Sequence, residues 1–412
     1  MPHLRSLTLP DADPRFLDTL ARLAREEFGK AAPEGSVLAA AVQRTSLRYT
    51  RMRGDMDATH GEPAALTARL RYFLPRDLFK VWGPLAELSV MNALPQQESP
   101  RLLDLGAGLG TTSLGVGSFL HAHQRCQKVH VVALDADAIA LKLCKRLLQA
   151  PDGLPSAPFQ VTTANRCLTL DGPLPAGPFH LITVGFALNE LLHGMPEAEQ
   201  VRAGAAWLTR LCTLLTDDGA VIVLEPALRE PARTLQAIRD RMVEQATNGG
   251  PRIFAPCLGT RPCPLLARPR DWCHERLPLR FPAPLAELAR EAGLREETIT
   301  YSYLTLRNHA GSLASLAAAD ARPYRVVGGP VASKGKVEYA LCGVHDAPAL
   351  IQLTRDRKHA DDATDALRRS TVISLQQDGG AADARPRLRL TQESRLQLLL
   401  HWTKRDGSLD KG

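Results

Sequence analysis

Long apolar runs are absent from this sequence of 412 residues. No stretch of about eighteen or more apolar residues occurs, which predicts that the chain does not span a membrane. The first residues lack the charged and then apolar pattern of a secretory signal, and the acidic Asp11, Asp13 and Asp18 are atypical of a transit peptide. We therefore expect a cytoplasmic protein.

Regularly spaced cysteines are also lacking. Eight cysteines at uneven intervals indicate a reducing compartment with a metal site better than they indicate a disulfide framework. Aromatic residues make up only 5% of the chain, but hydrophobic residues make up 44%, which is typical of a globular protein. The length allows one large core with extensions, or two to three modest domains.

Positive charge is in excess, with a net charge of +7. Composition alone does not separate a solvated basic surface from a nucleic-acid surface. The clustering is more informative, because the arginines of residues 251–280 are Arg252, Arg261, Arg268, Arg270, Arg276 and Arg280, against only Asp271 and Glu275. A second cluster lies in Arg44–Arg53. Both clusters are candidate phosphate-binding surfaces.

The apolar pattern divides the chain into a helical N-terminal region (1–95), an α/β core (96–344) and a C-terminal extension (345–412). Alternating strands and helices in the core predict a doubly wound parallel sheet. The extension carries a turn at Asp378 between two possible strands. Further strands are expected at Arg101–Leu105, Val129–Leu134, Phe159–Thr163, Phe179–Gly185, Ala220–Leu224, Thr298–Leu306 and Val337–Cys342, and a helix at 284–293.

A glycine-rich turn follows the first core strand. Asp104 ends that strand, and Gly106, Ala107, Gly108 and Gly110 lead into a helix. Such glycines let the backbone approach a ligand, and the helix N-terminus offers unpaired N–H groups. A dinucleotide enzyme favours G-x-G-x-x-G, whereas this chain has G-x-G-x-G. We therefore expect the turn to bind S-adenosylmethionine, whose ammonium group can be held by a carboxylate.

Carboxylates and an amide follow the next strands of the predicted sheet. Asp135, thirty-one residues after Asp104, could accept both ribose hydroxyls, with Asp137 as its competitor. Asn189 and Glu190 follow the fourth strand, where they could reach donor or acceptor, although Glu190 could equally only open a helix. The Asn/Asp-Pro-Pro-aromatic motif of amine methylation is absent, so the acceptor atom cannot be deduced.

Three thiols lie within a proline- and arginine-rich segment that is unsuited to a regular helix or central strand. They are Cys257, Cys263 and Cys273, and Cys342 follows after a gap of sixty-eight residues. Four thiolates can bind zinc or an iron-sulfur cluster, and the uneven gaps give only a modest preference for the cluster. His274 is adjacent to Cys273, which makes joint ligation strained. The radical pattern C-x₃-C-x₂-C is missing.

Several of these segments together resemble one family. They are Leu102-Leu-Asp-Leu-Gly-Ala-Gly, Leu188-Asn-Glu-Leu, the Pro-Cys-Pro and Asp271-Trp-Cys-His pair, Tyr301-Ser-Tyr-Leu and Ser333-Lys-Gly-Lys. The chain is similar over roughly 40–345 to mitochondrial and bacterial small-ribosomal-subunit methyltransferase-like proteins of the Rsm-twenty-two type. The sequence departs from the usual pattern of this family at two places near the expected donor pocket. Glu225-Pro-Ala replaces the commoner Glu-Pro-Gly, and the usual aromatic after Gly110 is missing.

The resemblance implies a class I methyltransferase (Rossmann-like) fold that binds the small ribosomal subunit and its 16S-type rRNA during assembly. It also implies a four-iron four-sulfur cluster on Cys257, Cys263, Cys273 and Cys342, in preference to zinc. We therefore expect an S-adenosylmethionine-dependent rRNA methyltransferase. Two alternatives stay open: a non-catalytic assembly factor of the same fold, and a small-molecule methyltransferase with structural zinc.

Overall fold

The computed structural model describes residues 6–10, 13–51, 60–123, 125–246, 250–294, 298–356, 362–376, 387–391 and 393–403. Arg53 and the turn predicted at Asp378 lie outside these residues. Among the helices in the described ranges, none combines the length and the apolar character that crossing a membrane requires.

The N-terminal region is mainly helical, as its apolar periodicity predicts. Asp13 caps the first helix, because its side chain accepts a hydrogen bond from the backbone N–H of Arg15 at 2.8 Å. The elements are β1 (Ser6–Leu7), α1 (Pro14–Phe28), α2 (Gly35–Arg51), α3 (Pro63–Ala68), a π-helical turn (Arg69–Phe73), α4 (Leu74–Asp77) and α5 (Trp82–Val90), with 3-10 turns at Gly29–Ala31 and Leu78–Val81. Helix α5 is buried along its whole length.

A mixed sheet forms the centre of the core. Its strands are β2 (Arg101–Leu105), β3 (Val129–Asp135), β4 (Phe159–Asn165), β5 (Phe179–Gly185), β6 (Leu215–Glu225), β7 (Arg252–Ala255), β8 (Glu275–Pro278) and β9 (Thr298–Arg307). The order is β4-β3-β2-β5-β6-β9-β7, and β8 also pairs with β9. The first five strands of this order are parallel, and β9 is antiparallel to both neighbours. The predicted strands from 101 to 224 are confirmed, with β6 starting earlier than expected.

Helices cover both faces of this sheet. They are α6 (Thr111–Ala122), α7 (Ala138–Gln149), α8 (Leu188–Leu191), α9 (Glu197–Cys212), α10 (Arg229–Ala246) and α11 (Ala283–Glu291). Adjacent residues of one strand enter different cores, since Leu102 packs with α6 and α7 whereas Leu103 packs with α9 and α10. Burial on both faces is what a doubly wound sheet requires. The predicted α/β fold class is therefore confirmed.

A second sheet follows the core. Its strands β10 (Arg322–Val326), β11 (Val331–Ser333), β12 (Lys336–Gly343), β13 (Ala349–Leu353), β14 (Val372–Gln376), β15 (Arg387–Leu390) and β16 (Arg395–Trp402) pair with one another, and a short helix α12 (Asp362–Asp365) lies between β13 and β14. The N-terminal β1 joins this sheet beside β16. The strand expected at Val337–Cys342 is therefore not a seventh core strand, and the boundary predicted at 344 falls within one hydrogen-bonded sheet. Apolar alternation marks a strand but does not say which sheet it joins, so the pattern did not indicate this second sheet.

Candidate functional site

The glycine-rich turn lies where β2 ends, between β3 and β5. Gly106, Gly108 and Gly110 have φ of +70°, +51° and +78°, a conformation that side chains disfavour. A Cβ at Gly106 would lie 2.6 Å from the Ala187 Cβ, so the close approach also requires glycine. The N–H groups of Gly106 and Ala107 donate to the Leu134 carbonyl at 2.9 and 3.0 Å, which fixes the turn against β3. In open α/β sheets, ligands commonly bind in the crevice at the carboxyl ends of the central strands, where this turn lies.

Asp104 lies buried beneath the turn. Its two oxygens accept hydrogen bonds from the hydroxyls of Ser113 at 2.6 Å and Thr183 at 2.8 Å. Burial raises the pKa of this carboxyl to about 6, although both hydroxyls oppose the shift. Asp104 thereby links β2 to α6 and β5. Sequence reasoning expected it to hold the donor, whereas both of its oxygens face hydroxyls of the protein.

The structure separates the roles of Asp135 and Asp137. Asp135 ends β3 and faces the turn, where its carboxylate accepts from the Gly108 N–H at 2.8 Å and from the Asp137 N–H at 2.8 Å. Asp137 is buried and caps α7 by accepting from the N–H groups of Ile139 and Ala140, both at 3.0 Å. Because Asp137 is committed to the helix, Asp135 is the carboxylate that borders the crevice.

Arg69 is a residue at the turn that sequence reasoning missed. It opens the π-helical turn, and its Nη2 would lie 2.6 Å from a Cβ placed on Gly108. Its Nη1 lies 3.8 Å from the Asp137 carboxylate. The N-terminal region thus brings a guanidinium over the glycine turn. No motif marks this arginine, since only the long-range packing of the helices brings it there.

Asn189 and Glu190 lie in α8, directly after β5. The Asn189 side chain donates to the Phe186 carbonyl at 2.7 Å, so it stabilises its own turn. Phe186 has φ of +62°, and its ring lies 4.5 Å from the Lys80 ammonium. Glu190 is exposed. The backbone N–H of Asn189 donates to Glu225 at 3.2 Å, a buried carboxyl that sequence reasoning noted only as part of an atypical turn.

The four cysteines of interest line one cavity of about 50 Å³. Residues 256–274, all of them described, form neither helix nor strand, as the prolines predict. Cys257, Cys263 and Cys273 come from this segment, and Cys342 comes from β12. Within the described ranges, no group of three or more His, Cys, Asp or Glu side chains is arranged closely enough to hold a metal ion. The structure therefore gathers the thiols around one space without assembling a metal site.

Two arginines of α10 hold this cysteine segment by its carbonyl groups. Arg233 donates to the carbonyls of Leu265, Leu266, Arg268 and Asp271 at 2.9 to 3.2 Å. Arg239 donates to those of Gly259 and Arg261. The segment lacks regular backbone pairing, so these guanidinium groups satisfy acceptors that a helix or a strand would otherwise satisfy.

Only some of the arginines of the predicted basic surface are exposed in the structure. Arg261 points inward, since its guanidinium donates to the Asp346 carbonyl at 2.8 Å and to the Cys342 sulfur at 3.5 Å. Arg261 therefore does not belong to the exposed part of the cluster. Arg268 lies 3.5 Å from Asp271, with half of its side chain exposed. The exposed arginines of the two clusters within the described residues are Arg44, Arg51, Arg252, Arg268, Arg270, Arg276 and Arg280.

Among the comparisons with known proteins, the family model alone shows the family. A family model described as mitochondrial small ribosomal subunit Rsm22 matches residues 81–368. No curated protein matches the chain. Similar solved structures include an S-adenosylmethionine-dependent methyltransferase from Clostridium acetobutylicum (10% identity, 80% of this chain and 76% of that one, TM-score 0.25). Another is an arsenic(III) S-adenosylmethionine methyltransferase from Chlamydomonas reinhardtii (15% identity, 62% and 80%, TM-score 0.28).

Proposed function

The chain belongs to the Rsm22 family of the mitochondrial small ribosomal subunit, and from this premise we propose that it binds S-adenosylmethionine and small-subunit ribosomal RNA during ribosome assembly. The observation that carries the proposal is the glycine turn with Asp135 beside it, at the carboxyl edge of a doubly wound sheet. Methyl transfer to the RNA is the activity that this arrangement would serve.

Asp135 would bind the donor through its ribose. Among the described residues, its two oxygens accept from the backbone N–H groups of Gly108 and Asp137, which leaves lone pairs for two hydroxyl donors. The turn and the start of α6 supply N–H groups for the remainder of the ligand. Asp104 would act as a positioning residue, because its contacts keep β2, α6 and β5 in register.

A four-iron four-sulfur cluster is the cofactor that we propose for the thiols. The donor set fits such a group, since four cysteines share one cavity and the Nε2 of Gln236 and the guanidinium of Arg261 each lie 3.5 Å from a cysteine sulfur. Burial raises the pKa of Cys342 to about 12, so a neutral thiol is expected until a cationic group binds. When bound, the cluster would link the cysteine segment to β12 and contribute folding free energy.

Iron and acid-labile sulfide analysis of protein purified without oxygen tests this cofactor. We expect iron, sulfide and broad absorption near ~400 nm from the Cys₄ site. Cys342→Ser should lose them, whereas the matched control Cys167→Ser, an exposed cysteine remote in sequence from the cavity, should retain them. If the protein instead contains stoichiometric zinc and neither iron nor sulfide, the proposed cluster is wrong and the four thiols form a structural zinc site.

Ribosomal RNA binding would use the exposed arginines of residues 251–280 and of α2. Affinity for small-subunit particles should then fall steeply with salt, because phosphate contacts release counterions. Replacing Arg268 and Arg270 together by Gln should reduce the salt slope by about one to two units and leave donor binding unchanged. Co-sedimentation with small subunits at two salt concentrations measures this. A protein that never sediments with them is not a ribosome factor.

Two observations favour the non-catalytic assembly factor as a second candidate. The Arg69 guanidinium lies over Gly108, and the Asn189 amide is occupied within its own turn. A donor must share the crevice with Arg69 or displace it. Transfer of a labelled methyl group from S-adenosylmethionine to small-subunit ribosomal RNA distinguishes the two candidates, because a non-catalytic assembly factor would transfer none.

A further inference from the structure

A separate cavity of about 220 Å³ lies between α8, α9 and α10, at the ends of β5 and β6. A single water molecule needs only about 10–15 Å³ by the comparable measure, so the cavity can hold a larger group. Its polar lining comes from Asn189, His193, Gln200, Glu225, Glu230 and Thr234. It is distinct from the cavity of the four cysteines, with which it shares only Leu235.

Glu225 is the buried end of this cavity. Its side chain comes from the last residue of β6 and is 1% exposed. One carboxyl oxygen accepts from the Asn189 N–H, while Oε2 has no hydrogen-bond partner within the described part of the chain. A buried polar atom without a partner destabilises the folded state, because it has lost its hydrogen bonds to water. A ligand that donates to Oε2 would remove this destabilisation.

The charges around the cavity favour a cation. Glu225 and Glu230 both line it, and the charge of the neighbouring Glu190 acts on Glu225 as well. None of the described lining residues is Lys or Arg, although Lys and Arg number 51 in the chain against 44 Asp and Glu. Burial raises the pKa of Glu225 to about 8, and a cation next to Oε2 would stabilise the carboxylate.

The remaining wall is apolar. Leu192, Leu235 and Ile238 line the cavity and are buried in the core that covers this face of the sheet. Such a wall suits a methylene chain, while the carboxyl end suits a charged head group that donates hydrogen bonds.

We propose that this cavity is a binding site for an alkylguanidinium or alkylammonium group, which donates to Oε2 of Glu225 and lays its methylene chain against Leu192, Leu235 and Ile238. The site does not depend on the proposed donor or RNA binding. Its ligand is either a free small amine or a basic side chain of a peptide, and the chemistry of recognition is the same for both.

Calorimetric titration of the full-length protein tests the site. The probes are agmatine as a free alkylguanidine, N-acetyl-arginine amide as a peptide side chain, and butylurea as a neutral analogue. We expect agmatine or the arginine amide to bind, and whichever binds more tightly identifies the source. Glu225→Gln should weaken binding about tenfold to a hundredfold, as expected for a lost charge-assisted hydrogen bond. The matched control Glu244→Gln, on the exposed end of α10, should bind as wild type does.

A second measurement uses the buffer dependence of the binding heat. At pH 7.5, cation binding should release protons from Glu225, so the heat of agmatine binding should change with the ionisation enthalpy of the buffer. The release should disappear in Glu225→Gln although His193, Glu190 and Glu230 remain. The proposal is overturned if neither cation binds at about 10 mM, if butylurea binds equally well, or if a folded Glu225→Gln protein retains full affinity.

Discussion

Arg325 of β10 donates a hydrogen bond to Glu87 of α5 across 2.7 Å, and each side chain is only 3% exposed. The same guanidinium donates to the Pro256 carbonyl at 2.9 Å and lies 3.6 Å from Glu275 of β8. Tyr303 of β9 also donates to Glu87. One buried network thus connects the N-terminal helices, the central sheet, the cysteine segment and the second sheet.

Removing Arg325 should therefore destabilise the whole chain. Arg325→Met leaves the buried carboxylates of Glu87 and Glu275 without their cation, and we expect a loss of about 3–5 kcal/mol in the free energy of unfolding. Urea denaturation measures it. The exposed neighbour in the same strand provides the control, since Arg322→Met should change stability by about 0.5 kcal/mol or less. An equally small change for Arg325→Met would contradict the role of the network.

Asp135 and Asp137 should respond differently to substitution. If Asp135 binds the ribose, Asp135→Ala should weaken S-adenosylmethionine binding about tenfold to a hundredfold, because two hydrogen bonds to a charged group are lost. Asp137→Ala should instead lower stability by about 0.5–2 kcal/mol through the lost cap of α7. Calorimetry and thermal unfolding separate the two effects. Unchanged donor affinity in Asp135→Ala would exclude this carboxylate from the donor site.

Arg233 should govern the order of the cysteine segment. Arg233→Ala removes the partner of four carbonyls, and we expect faster proteolysis between residues 256 and 274 together with a stability loss of about 1–3 kcal/mol. Arg241→Ala is the matched control, because Arg241 lies on the same helix and pairs with the exposed Glu244 at 3.4 Å. Limited proteolysis followed by mass spectrometry locates the cleavage. Identical cleavage rates for the two variants would show that α10 does not hold the segment.

Glu225 should make the protein less stable as pH rises. Burial raises its pKa from 4.5 to about 8, so between these values the folded state binds a proton that the unfolded state releases. The free energy of unfolding should then fall with pH by up to about 1.4 kcal/mol per unit. Asp104 also lowers the free energy of unfolding as pH rises, but only up to its pKa of about 6. Urea denaturation between pH 6 and 8 should show the slope, and Glu225→Gln should flatten it while Glu244→Gln should not.

Local sequence determined much of the central sheet and the glycine turn. The alternation of apolar strands and helices depends on residues close in the chain, so β2 to β6 could be predicted to within a few residues. Gly106, Gly108 and Gly110 were recognised because positive φ leaves a direct trace in residue type. The cysteine segment was recognised as irregular because proline removes backbone donors.

Only the tertiary structure decided what surrounds those features. Strand pairing between residues hundreds of positions apart brought β1 to β16, while β12 pairs with the nearby strands β10, β11 and β13 of the second sheet. Packing brought Arg69 over Gly108 and turned Arg261 inward. It also placed Asp135 at the crevice and Asp137 at the N-terminus of a helix, which it caps. The role of a charged side chain depends on the groups that surround it in the folded protein. Where those groups are distant in sequence, no local pattern reveals them.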